Sequence, residues 1–215
     1  MSFKGALFDM DGVVTTTVPL HFKAWKKMFN EYDMEFNFSD YEKYVDGIPR
    51  MDGARAILKD LPEDKLKEAA NKKQEYFLEL LNREKIPVYD TTVDLIKDLR
   101  KRGIKIAIIS SSKNCPYILG KTGIDKLTDT IVSGNDITKG KPDPQIFLLA
   151  AERIGLTVEE CIVFEDALLG VEAAKNGKFR CVGIDRNNNP DRLKKADIIV
   201  KDLGEVDYDK LVKLF

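Results

Sequence analysis

The 215-residue chain carries 35 basic and 36 acidic side chains, so no global field recruits nucleic acid or an anionic membrane surface. With 43% hydrophobic and 33% charged residues, it can bury a core and keep a solvated surface, which excludes a disordered or fibrous chain. An anionic substrate must therefore be held by a local cluster of donors.

Taken in chain order, Gly5-Ala6-Leu7-Phe8 is a short apolar run that reads as a buried strand. It is too short for the apolar segment of a secretion signal. From about Pro19 to Lys85 the periodicity is helical, with Phe22, Trp25, Met28/Phe29 and Tyr32 at three-to-four spacing. Further helices are expected over 39–45, 51–58 and 62 to about 83, the last opened by Pro62 and Glu63-Asp64. Residues 92–102 place Val93, Ile96 and Leu99 on one stripe and stop at Gly103.

Apolar runs at 104–109, 161–164 and 181–184 read as buried strands, and 130–132 and 198–200 as weaker ones. Helices at 144–154 and 168–175 lie between them, with Gly155 and Gly177 as stops. Asn187-Asn188-Asn189-Pro190 reads as a surface turn. Continuous apolar strands alternating with helices predict a doubly wound, parallel-sheet (Rossmann-like) α/β core. The helical stretch after the first strand predicts a small all-α cap. The expected division is a core of 1–15 and 88–215 and a cap of 16–87, with linkers at 14–18 and 86–90.

Cys115, Cys161 and Cys181 are odd in number and lack metal-like spacing, which suits buried thiols in a reduced cytoplasmic protein. No apolar stretch has the length of a bilayer span. The expectation is a soluble monomer without nucleic-acid or membrane partners.

In such sheets ligands sit outside the carboxyl ends of the strands. After the first strand come Asp9 and Asp11, and after the second Ser110-Ser111-Ser112-Lys113-Asn114. The loop before a later helix supplies Lys141-Pro142-Asp143-Pro144, and the strand at 161–164 is followed by Glu165-Asp166. Several carboxylates at one point need a cation, and oxygen ligands without His or Cys select a hard ion such as Mg²⁺. Hydroxyls, N–H groups and a lysine are what a phosphoryl group requires. A carboxylate facing that group can form an aspartyl-phosphate, and a second two residues on can act as acid and base.

These motifs resemble, in order and over essentially the whole chain, the four motifs of the haloacid dehalogenase superfamily. The resemblance implies that Asp9 is the nucleophile, that Asp11 is the acid/base, and that Ser110 and Lys141 hold the transferring phosphoryl group. It implies Mg²⁺ bound by Asp9, the Asp11 carbonyl and Asp166, with Glu165 in or near that shell. The helical cap is similar to that of the subgroup of β-phosphoglucomutases and sugar-phosphate phosphatases, most closely the former. That likeness implies a phosphorylated sugar as substrate. It rests on His21 to Lys26 with Trp25 among them, on Gly47-Ile48-Pro49-Arg50, on Ser112-Lys113-Asn114 and on Lys73. Those residues would bind substrate, although the helical spacing of Trp25 equally suits the cap's own core. Many relatives carry Asp-Ser/Thr-Glu where this chain has Thr16-Thr17-Val18.

The leading expectation is interconversion of β-glucose 1-phosphate and glucose 6-phosphate through an aspartyl-phosphate and a bisphosphate. A Mg²⁺-dependent sugar-phosphate phosphatase is the alternative. The third reading is a non-catalytic phosphoacceptor or metabolite-binding module. Asp11 argues against the third, because a pure acceptor has no use for an acid/base.

Overall fold

A computed structural model describes residues 2–45, 50–186 and 188–215, with Glu42 described by its backbone alone. In chain order the first elements are β1 (Gly5–Asp9), α1 (Val18–Asn30), α2 (Phe38–Tyr44), α3 (Arg50–Ile57) and α4 (Glu63–Arg83). Next come α5 (Asp90–Lys101), β2 (Lys105–Ile109), α6 (Cys115–Thr122), β3 (Thr130–Val132) and α7 (Gln145–Arg153). The last are β4 (Cys161–Glu165), α8 (Leu168–Asn176), β5 (Arg180–Ile184), β6 (Ile198–Val200) and α9 (Tyr208–Val212). The short helices α6 and α9 hold too few apolar repeats to register as periodic segments in the sequence.

These elements fall into two units, Met1–Thr16 with Ile86–Phe215, and Thr17–Lys85. Thr16, Ile86 and Pro87, expected in the cap, thus fall in the first unit. The pairing there runs one step beyond the Thr15–Val88 bridge: the Thr16 N–H donates to the Pro87 carbonyl at 3.2 Å.

The first unit is built on six parallel strands in the order β3-β2-β1-β4-β5-β6. Every residue of β1 and β4 is buried, which explains their unbroken apolar sequences. Phe8 of β1 pairs in register with Phe164 of β4, and their rings stack at 4.3 Å. Their neighbours Leu7 and Val163 pack with Ile146, Phe147, Ala150 and Val171 of α7 and α8. Strand order reverses on either side of β1, so the carboxyl ends of β1, β2 and β4 flank the switch point where such sheets bind ligands.

Gly103 and Gly155 adopt the left-handed conformation expected of helix stops. Gly177 does not (φ −80°); the left-handed residue is Lys178 at φ 64°. All three cysteines are free and buried.

In the second unit α1 and α4 share an apolar core of Trp25, Met28, Phe29, Leu66, Ala69 and Ala70. Alanines at two successive positions of α4 leave room for the α1 aromatics. Asn37 and Asp40 cap the start of α2 reciprocally. Among the described residues, no helix is long and apolar enough to cross a membrane.

Candidate active site

Parallel pairing brings the end of β1 between those of β2 and β4, and Asp9 is its last residue. The chain then turns tightly: the N–H groups of Val14 and Thr15 both donate to the Met10 carbonyl at 2.9 Å, and Gly12 N–H to Thr15 at 2.8 Å. The turn needs a glycine twice over. Gly12 has φ +80°, and a Cβ there would lie 1.9 Å from Asp166 Oδ2. The Asp166 carboxylate therefore rests directly on the Asp11-Gly12 loop. From α5, the Thr92 hydroxyl donates to the Val13 carbonyl at 2.7 Å.

Ser110 follows β2, and its buried hydroxyl accepts the Ser112 N–H at 3.1 Å. The Ser112 hydroxyl in turn accepts the Asn114 N–H at 3.2 Å, winding this loop into α6. The loop after β3 supports it, with Asn135 Nδ2 donating to the Lys113 carbonyl at 3.1 Å. Gly134 lies so close that a Cβ would be 2.2 Å from the Ser111 carbonyl oxygen.

Lys141 bridges two carboxylates, its Nζ 2.5 Å from Asp9 Oδ1 and 2.8 Å from Glu165 Oε2. The other Glu165 oxygen accepts the Ala167 N–H at 3.2 Å. Burial raises the Asp9 pKa, and Lys141 opposes the rise. Burial and the charge of Asp9 push Glu165 up to about 7. Burial, with Glu165 and Asp9 adding to it, holds Asp166 well above the usual carboxylate range. Burial acts to lower Lys141, but Asp9 and Glu165 outweigh it and keep the ammonium charged.

Carboxylate oxygens of Asp9, Glu165 and Asp166 lie within 4.8 Å of one another. Three acids this close raise one another's pKa, and a divalent cation relieves that repulsion where one lysine relieves only part of it. An all-oxygen set suits a hard ion, so these residues fit the metal expected from the sequence.

The expected binding residues divide between the units. In the first, Ser112 and Asn114 are half-buried on the Ser110 loop and Lys113 is exposed. In the second, Lys73 Nζ lies 2.7 Å from His21 Nδ1, and the imidazole stacks on Phe77 at 3.9 Å. Burial and Lys73 depress the His21 pKa well below its usual value, so the ring is neutral and Nδ1 accepts from the ammonium. Trp25 is 2% exposed within the helical core, and its ring stacks on Phe29. Arg50 begins α3 half-buried, with its pKa lowered by burial. Gly47 and Ile48 lie outside the described residues.

A sequence profile of the hydrolase family described as haloacid dehalogenase-like hydrolase matches residues 3–178. The chain belongs to this family. Within it, the chain is 34% identical to a β-phosphoglucomutase of Mycobacterium bovis, covering 94% of this chain and 91% of the relative. It is 32% identical to a phosphorylated carbohydrates phosphatase of Thermotoga maritima, over 84% of this chain and 85% of the relative. The crystal structure of a β-phosphoglucomutase from Clostridium difficile superposes with a TM-score of 0.86 at 27% identity, over 98% of this chain and 96% of that one. This haloacid dehalogenase-like protein is a phosphoryl-transfer enzyme, and its family generally works with a divalent metal.

Proposed function

We propose that this enzyme interconverts β-glucose 1-phosphate and glucose 6-phosphate through an aspartyl-phosphate on Asp9 and a bisphosphate intermediate. The observation that carries the reading is the enclosed cluster of Asp9, Lys141, Glu165 and Asp166, with Ser110 on the neighbouring strand end. Identity of 34% to a β-phosphoglucomutase across nearly the whole chain supports the choice of reaction.

In this reading a carboxylate oxygen of Asp9 attacks phosphorus, and the bond from phosphorus to the sugar oxygen breaks. Asp11 protonates the departing oxygen, and in the return step it takes the proton from the hydroxyl that attacks the aspartyl-phosphate. Lys141 opposes the rise that burial imposes on the Asp9 pKa and sets a positive charge beside the transferring oxygens. The Ser110 hydroxyl donates to one of those oxygens. Asp9, Asp166 and the Asp11 carbonyl would hold Mg²⁺, which would supply charge neutralisation for the phosphoryl group. Glu165, with both oxygens already engaged, serves to fix Lys141.

The Thr17–Lys85 unit has the helical make-up of a cap, and the resemblance assigns substrate binding to its Arg50, Lys73 and His21 and, in the first unit, to Ser112-Lys113-Asn114. Excluding water is what makes a mutase, since an exposed phosphoenzyme hydrolyses. A sugar-phosphate phosphatase is the second reading, favoured by the Thermotoga maritima relative and by Thr16-Thr17-Val18 in place of two acids.

The test supplies β-glucose 1-phosphate, a trace of bisphosphate and Mg²⁺, and follows glucose 6-phosphate and inorganic phosphate together. A mutase yields glucose 6-phosphate with little free phosphate; stoichiometric phosphate release would establish the phosphatase instead. An Arg50→Ala variant with full mutase activity would count against the assigned phosphate grip.

A further inference from the structure

The turn from Asp9 to Thr15 carries both carboxylates assigned to the chemistry, and its far side is gripped by a residue just past β5. Arg186 Nε donates to the Gly12 carbonyl at 3.0 Å. Its Nη1 donates to Asp202 Oδ2 at 3.0 Å, and its guanidinium carbon lies 3.8 Å from the centroid of the Tyr89 ring. Tyr89 holds the same turn two residues further on, its N–H donating to the Val14 carbonyl at 3.0 Å. Gly12 is thus pinned between the Asp166 carboxylate on one side and Arg186 on the other.

The arrangement is a poor choice for mere filling. The side chain is 18% exposed, and Nη2 is buried with no hydrogen-bond partner among the described residues. Enclosing a cation with a donor left over costs free energy that an apolar side chain of similar size would not. What a guanidinium supplies here is geometry. Its planar fork reaches the Gly12 and Lys201 carbonyls and Asp202 while its face lies over Tyr89, which an ammonium cannot do.

We infer that Arg186 is a positioning residue that fixes the Asp11-Gly12 turn, and with it the alignment of Asp11 on the leaving oxygen. This rests on Asp11 being the acid/base. Arg186 touches neither substrate nor metal in this account; it acts through the Gly12 carbonyl, one residue after Asp11. General acid catalysis is sensitive to such placement, because about 1 Å of misalignment can cost on the order of 10²-fold.

The test uses the full chain with Mg²⁺ and aryl phosphates of similar shape, from 4-nitrophenyl phosphate to phenyl phosphate. It measures kcat/KM, which ends at transfer to Asp9. A 4-nitrophenolate leaves without a proton, whereas a poorer leaving group needs the acid. Arg186→Ala is expected to lower kcat/KM about tenfold or more for phenyl phosphate and less than about threefold for 4-nitrophenyl phosphate. Arg186→Lys, which keeps the charge and loses the fork, is expected to steepen the leaving-group dependence in the same sense. Thermal melts establish that each variant is folded at the assay temperature. Equal losses across the series, or Arg186→Lys behaving as wild type, would overturn the inference. Asp11→Asn run in parallel separates the two levels of the account. If Asp11→Asn is steep and the Arg186 variants are not, only Arg186 is misassigned. A wild-type slope for Asp11→Asn would remove the acid/base reading and this inference with it.

Discussion

Each unit encloses a lysine, and the two are held in different ways. Lys141 sits between the carboxylates of Asp9 and Glu165, at 2.5 and 2.8 Å. Lys73 lies against a ring nitrogen of His21 at 2.7 Å and over the faces of Trp25 and Phe77, near 5 Å from each centroid. In the strand-end site the acids hold the ammonium charged and the ammonium opposes the rise that burial imposes on them, so charge is the organising quantity. In the helical unit the ammonium leaves its neighbour neutral and packs against aromatic surface.

Removing the ammonium from each site should separate them most sharply. Lys141→Met leaves Asp9 and Glu165 crowded without a counter-charge, and unfolding free energy is expected to fall by about 3–5 kcal/mol. Urea titrations should find the loss larger at pH 8 than at pH 6, since at lower pH Glu165 protonates and relieves the repulsion. Lys73→Met is expected to cost less than about 2 kcal/mol, because the aromatic surface still packs on the thioether. Equal costs would break the comparison.

Metal provides the next contrast. Glu165 titrates near 7 and Asp166 is raised well above its usual value, so a cation must displace protons to enter the cluster. The rise in melting temperature on adding Mg²⁺ should therefore be larger at pH 8 than at pH 6. It should vanish in Asp166→Asn and persist in Lys73→Met.

The smallest effect is carried by His21. Its folded pKa lies below the unfolded value, so below about pH 6.5 the unfolded chain binds the additional proton. The stability it contributes is complete above that pH and is lost as pH falls toward the folded value, at up to about 1.4 kcal/mol per unit. Urea midpoints at pH 7 and 5.5 should converge in His21→Gln relative to wild type. In Lys73→Met the loss should shrink as well, because Lys73 contributes to depressing His21.

The two units also differ in how much of them the sequence discloses. A strand end is legible because an unbroken apolar run followed by acids or hydroxyls is unusual, and so Asp9, Ser110 and Glu165-Asp166 stand out one by one. Residues that fix those groups from behind are harder to read. Thr92 is one hydroxyl on an amphipathic helix, and Gly134 and Asn135 look like an ordinary turn until the Ser111 carbonyl is found against them. Arg186 does carry a signal in the sequence: Asp185-Arg186 follows β5, a strand end of the same kind as the others. On helices, periodicity marks the buried face but does not distinguish core from ligand surface. Trp25, a binding residue by resemblance and a core residue by spacing, packs in the helical core, whereas Lys73, one of several lysines on α4, is enclosed beside His21. The boundary of the first unit lies where segments distant in sequence pair, as Thr16 does with Pro87.

The central claim is that Asp9 accepts the phosphoryl group. Rapid acid quench of the Mg²⁺-loaded enzyme during turnover of β-glucose 1-phosphate, followed by intact-protein and peptide mass spectrometry, tests it most directly. The account predicts one added phosphoryl group on the peptide that contains Asp9, absent from Asp9→Asn and accumulating in Asp11→Asn when breakdown is slowed more than formation. A phosphoryl group on any other residue, or turnover retained by Asp9→Asn, would contradict it.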